Sequence, residues 1–226
     1  MKKFLRYFSP FEWCLWAISS LAILLSFLFS GEFHILTLIA SLLGVAALLF
    51  LAKGNVIGQF LVIIFSLLYA IVSWEQRYYG EMITYVGMSL PSALVAAINW
   101  IKHPSNKGLS EVKIATMTRR KWILLSVSAV LVTVAFYFIL AYFNTNNLLV
   151  STLSVTTSFY AAMLMIFRSP VYAVAYAAND IVLIILWISA SIASISYLPM
   201  VFCFLAFLAN DLYAFVNWRK MQREQK

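Results

Sequence analysis

Two acid–amide pairs interrupt the most apolar stretches of the chain. The segment "YAANDIVLIILW" sets Asn179 and Asp180 among Ala, Val, Ile and Leu, and "LANDLYAF" repeats the arrangement with Asn210 and Asp211. Amides and carboxylates hold the hydroxyls of a polyol, and a carboxylate also balances a cation. Aromatic residues stand at helical spacing from both pairs. Asp180 and Trp187 are seven residues apart and share one helix face, while Asn210, Tyr213 and Asn217 share another. A third apolar stretch carries Gln59, Tyr69 and Trp74. These residue types suit a pocket for a flat ring, preferably cationic, attached to a polyol.

Two carboxylates also raise the question of a catalytic dyad sharing a proton. Neither aspartate lies in a Gly-x-Gly-Asp context, and the chain has no HExxH for a zinc peptidase. Its two histidines, His34 and His103, are expected at opposite membrane faces, so they cannot complete a serine-based site. The residues therefore point to binding rather than to an enzyme, with no catalytic residue, metal or cofactor expected. A membrane scaffold would have no need of two such pairs.

The elements that position these residues follow from composition. Of the 226 residues, 64% are hydrophobic and 11% charged, against about 25% charged in a soluble domain. Such a chain is expected to be an integral membrane protein. Eight runs are long enough to cross a bilayer: 11–30, 34–52, 56–76, 82–101, 122–143, 148–167, 170–191 and 197–218. They are continuous rather than alternating, which predicts helices and not a barrel, so the fold class is all-α. Cys14 and Cys203 both fall inside apolar runs and read as small hydrophobes.

With eight spans, both termini share one side. That side collects Lys2, Lys3, Arg6, Lys53, Lys102, Lys107, Lys113, Arg119, Arg120, Lys121, Arg168, Arg219, Lys220, Arg223 and Lys226, leaving Arg77 alone opposite. The bias predicts cytoplasmic termini in a multi-pass protein of the cell membrane. The net charge of +8 is then a topology signal. Spread over separate loops, it does not build a nucleic-acid surface.

Depth can be counted from the same basic residues. Asn179 lies eleven residues in from Arg168, and Asn210 nine in from Arg219. At about 1.5 Å per residue, both stand roughly 14–17 Å from that edge, near the middle of a ~30 Å hydrocarbon core. Two readings are open. The pairs line a polar cavity for a solute, or they hydrogen-bond across the interface of spans seven and eight as helix-to-helix glue. Two carboxylates at one depth repel unless a proton or a cation lies between them. Other mid-depth polar residues are Ser89 beside Pro91, and Thr156, Thr157, Ser158 and Tyr160 in "SVTTSFY". Gly54 and Gly58 read as helix packing.

The chain also repeats itself. "AAINWIK" (96–102) and "AFVNWRK" (214–220) each close a three-span block with Asn-Trp and a basic residue. Interfacial anchoring gives an alternative account of these pairs. As a repeat, they imply two blocks in the same orientation joined by one bridging span, with the substrate site between them. The expected organisation is an N-terminal helix (1–32), a first repeat (33–103), a cytoplasmic linker with the bridging helix (104–146) and a second repeat (147–226).

"LLGVAALLFLAKGNVIGQFLVIIFSLLYAIVSWEQRYYGEM" (42–82), the Asn-Trp that ends span four, and the stretch from "AAMLMIFRSPVYAVAYAANDIVLIILW" to "ANDLYAFVNWRKM" together resemble the bacterial nicotinamide riboside transporters of the PnuC family. The similarity covers roughly residues 34–221 apart from the central linker. The resemblance implies a 3+1+3 helical core like that of the SWEET sugar transporters, with one extra N-terminal helix, and a homotrimer. It implies uptake of nicotinamide riboside for NAD biosynthesis across a bacterial inner membrane by facilitated diffusion, with trapping by cytoplasmic phosphorylation. Relatives that take thiamine or riboflavin define the alternative. It further implies Trp187, Asn179, Asn210 and Tyr213 as substrate contacts, with Asp180, Asp211 and Gln59 behind them.

Overall fold

The computed structural model describes residues 7–31, 35–75, 79–105, 108–145 and 147–225. Arg77 and His34 lie outside them. Among the described residues, eight helical segments are long and apolar enough to cross a membrane. Helix α1 (Pro10–Ser30) opens with a capping box: the Glu12 carboxylate accepts from the Ser9 amide at 2.6 Å, and the Ser9 hydroxyl accepts from the Glu12 amide at 3.3 Å. Gly31, at φ 70°, ends it. Helices α2 (Ile35–Ala52) and α3 (Ile57–Glu75) form an antiparallel pair. The fourth span is broken into α4 (Tyr79–Thr84), a π-helical turn (Tyr85–Ser89) and α5 (Leu90–Lys102). The break precedes Pro91, which has no amide to donate and so cannot continue an ordinary α-helical ladder.

Helix α6 (Arg119–Tyr142) is the least buried of the eight spans, at 17%. Helices α7 (Leu148–Ile166), α8 (Tyr172–Ala193) and α9 (Leu198–Glu224) complete the bundle. Helix α9 packs along α8, α2 and α1. The observed spans match the expected ones to within a few residues, α9 alone running on to Glu224. Large apolar side chains such as Ile18, Phe29, Leu131 and Val216 face outward, as lipid exposure requires.

The linker departs from an all-helical reading. Pro104–Ser105 (β1) pairs antiparallel with Gly108–Val112 (β2), and Asn55 bridges to Glu111. The linker backbone then finds acceptors at two helix ends. The Val112 amide donates to the Gly54 carbonyl at 2.9 Å, and the Ala115 amide to the Arg168 carbonyl at 3.0 Å. Gly54 (φ 63°) and Arg168 (φ 57°) are the left-handed residues that terminate α2 and α7. Gly54 is thus a turn residue rather than half of a helix-packing motif. Gly58 does serve packing: a Cβ there would stand 2.7 Å from the Leu51 amide.

Two aromatic-rich clusters fill the bundle. One gathers Phe65, Tyr69, Trp187, Phe204 and Phe207; the other gathers Leu51, Trp100, Tyr172 and Trp218 near the end that carries the basic loops.

Candidate functional site

Between the two clusters lies a cavity of about 80 Å³. Helix α8 supplies Tyr176, Asn179 and Asp180, α9 supplies Asp211, and α3 supplies Gln59 and Ser66. Asn179 and Asp180 both reach it with Tyr176, at i, i+3 and i+4 on one face. The Asn179 Oδ1 accepts from the hydroxyls of Thr157 at 2.8 Å and Ser158 at 3.0 Å on α7, which leaves its NH2 to donate. Asp180 and Asp211 face one another within hydrogen-bonding reach. Gln59 is fully buried and donates to the Met165 sulfur at 2.9 Å. Among the described residues, Gln59 Oε1, Asp180 Oδ2 and Ser66 Oγ are buried with no hydrogen-bond partner. Buried polar atoms without partners are uncommon, and here three of them line one chamber.

The walls are aromatic. Phe65, Tyr85, Phe204 and Phe207 line the cavity, and the Tyr69 ring lies 4.3 Å from that of Tyr85. Gly44 admits this packing, since a Cβ there would come within 2.5 Å of the Phe207 ring. Tyr85 and Ser89 arrive through the π-helical turn, which shifts side-chain register on the fourth span.

Several expected positions fall elsewhere. Asn210 does not line the cavity: its Nδ2 donates to the Ala206 carbonyl at 2.7 Å and to the Ser19 hydroxyl of α1 at 3.3 Å. Tyr213 is on the same side of α9 and donates to Glu12 at 2.7 Å. Asn210 and Asp211 are consecutive, so their side chains diverge by about 100°, and the packing of α9 turns Asp211 to the cavity and Asn210 to α1. The expectation of a cavity shared by Asn179 and Asn210 is therefore corrected to one shared by Asn179, Asp180 and Asp211. Trp187 shares a face with Asp180 but stands about 10 Å further along the axis. With Tyr69 it lines a second, smaller cavity beside Tyr197 and Met200. Trp74 projects outward at the end of α3, 59% exposed.

The aromatic lining went largely unread in the sequence, although Phe204, Phe207 and Asp211 stand at i, i+3 and i+7. The polar partition has a direct consequence. Asn179→Ala removes a donor from the cavity and is expected to weaken substrate binding about five- to 150-fold, the loss of one buried hydrogen bond. Asn210→Ala is expected to leave affinity unchanged while lowering the melting temperature. Binding and melting measured on both variants test the split.

An apolar bundle of eight spans around a small chamber that combines aromatic walls with a few convergent polar groups is the build of a membrane transporter for a small solute. A family model described as nicotinamide mononucleotide transporter matches residues 34–220, and the chain belongs to this family of transporters rather than to a class of enzymes. Two similar proteins, from Neisseria mucosa and Haemophilus influenzae, are both named nicotinamide riboside transporter PnuC. The first is 27% identical over 187 residues, spanning 81% of this chain and 71% of that protein. The second is 26% identical over 187 residues, spanning 82% and 80%. A crystal structure of the Vitamin B3 transporter PnuC superposes with a TM-score of 0.84 at 25% identity, covering 97% of this chain and 94% of that one.

Proposed function

We propose that this protein carries nicotinamide riboside across the membrane by facilitated diffusion, with phosphorylation on the cytoplasmic side trapping the product. The family description names a mononucleotide and the similar proteins are named for the riboside. The observation that favours the riboside is the charge of the cavity: two carboxyls and, among the described residues, no Lys, Arg or His in its lining. A phosphate monoester would enter an uncompensated field of like charge, whereas the riboside brings a cationic pyridinium ring. The unpartnered acceptors of Gln59 and Asp180 suit the ribose hydroxyls. The aromatic walls suit the ring.

The organisation we propose with this reading is a parallel repeat. Residues 33–103 and 147–226 form the two halves, the N-terminal helix lies outside them, and the basic end with both termini faces the cytoplasm. Support comes from the paired turns at Gly54 and Arg168, each ending the first helix of its half and each accepting one linker amide.

The test is a panel of nicotinamide riboside, its mononucleotide, thiamine and riboflavin, with thermal shift on purified protein and uptake into proteoliposomes without ion gradients. The riboside is expected to stabilise the protein and to equilibrate across the membrane. Mononucleotide binding as tight as that of the riboside would overturn the assignment.

A further inference from the structure

The two Asn-Trp pairs exchange hydrogen bonds crosswise between the halves of the bundle. Asn99 Nδ2 donates to the Ile166 carbonyl at 2.5 Å, and Trp100 Nε1 to the Met165 carbonyl at 3.3 Å. Asn217 Nδ2 donates to the Ala52 carbonyl at 2.8 Å, and Trp218 Nε1 to the Leu51 carbonyl at 2.8 Å. Each pair thus caps the C-terminus of a helix in the other half, where the last carbonyls have no partner within the helix. The Leu51 and Met165 carbonyls also accept the amides of Gly54 at 2.8 Å and Arg168 at 2.9 Å. The two indoles meet, with ring centroids 5.4 Å apart, and Tyr172 packs edge-on against Trp218 at 4.7 Å. Trp100 is 2% exposed and Trp218 fully buried, which interfacial anchors would not be.

These contacts form one end of the cavity. The side chains of Leu51 and Met165 line it, while their carbonyls are held by the tryptophans. At about 80 Å³ the chamber falls below the ~300–1,000 Å³ of ordinary ligand sites, so admitting a solute requires the halves to separate.

We propose that Asn99–Trp100 and Asn217–Trp218 are a reciprocal gate at the basic end, whose two sets of caps must release for the cavity to open to that side. The proposal rests on the transport reading but not on the identity of the substrate. The caps couple the halves, because drawing α5 away from α7 and α9 away from α2 breaks both sets. The amides of Val112 and Ala115 in the linker bond the Gly54 and Arg168 carbonyls at the same two turns.

The experiment uses the full chain with Cys14→Ala and Cys203→Ala and a reporter, Ala162→Cys, in the cavity wall. A membrane-impermeant methanethiosulfonate is applied to each membrane face separately. Trp100→Phe and Trp218→Phe keep the ring and remove the N–H. Each is expected to speed labelling from the basic face about five- to tenfold, the population shift that follows from one lost hydrogen bond. Asn217→Leu, close in size, carries the same expectation should a tryptophan variant express poorly. Unchanged labelling with a lowered melting temperature would overturn the gate and leave a structural staple. Acceleration from the opposite face alone would overturn it equally. Labelling does not depend on which solute is carried, so a wrong substrate assignment would leave this result standing.

Discussion

The double substitution Asp180→Asn, Asp211→Asn is expected to reduce affinity for nicotinamide riboside by about 100-fold or more. Removing the partner of a charge held away from water costs roughly 2–5 kcal/mol, and these two carboxyls are the acidic groups that line the cavity. Two carboxylates on one chamber repel each other unless a proton or a cation lies between them. In the proposed complex the pyridinium ring is that cation. Either single variant leaves one carboxylate to meet the ring, so each should lose less than the double. Asparagine keeps the size and most of the hydrogen bonding, which isolates charge from shape. The uncharged dihydronicotinamide riboside supplies the control and should lose no more than about fivefold, the share of a single neutral hydrogen bond. Calorimetric titration of both ligands reads the difference. Equal losses for the two would assign the aspartates to the ribose hydroxyls and remove the electrostatic account of specificity.

Glu12→Ala is expected to lower the melting temperature by several degrees, given about 1–3 kcal/mol for leaving the buried partners of a carboxylate unpaired and roughly 2–4 °C per kcal/mol at this chain length. The Glu12 side chain is almost wholly buried and closes a network: Lys53 Nζ at 3.3 Å from both of its oxygens, the Tyr213 hydroxyl at 2.7 Å and the Ser9 amide at 2.6 Å. Lys53 also lies over the rings of Tyr7 at 4.9 Å and Phe8 at 5.7 Å, and Asn55 donates to the Tyr7 hydroxyl at 2.7 Å. One carboxylate thereby fastens α1 to the turn after α2 and to α9. Its loss strands the ammonium and the phenol together. Glu12→Gln, which retains an acceptor for Tyr213, should cost less. A melting curve unmoved by Glu12→Ala would show that this carboxylate does not hold α1 in place.

Hydropathy determined where the chain crosses the membrane, because a segment in lipid must satisfy its own backbone and only long apolar helices do so. Rise per residue, nearly constant in a helix, placed both Asn-Asp pairs at similar distances along their helices from the basic residues that follow or precede them. It did not determine direction. In a span whose lipid face and core face are both apolar, local periodicity does not say which side of the helix is inside. Packing alone decided that Asp211 faces the chamber while Asn210 and Tyr213 turn to α1. The ion pair of Glu12 with Lys53, 41 positions away, belongs to tertiary structure. The twofold occurrence of Asn-Trp is written in the sequence. That each pair caps a helix distant in the chain, burying two indoles against each other, depends on how the helices pack, and no spacing along one chain segment encodes a contact made across the bundle.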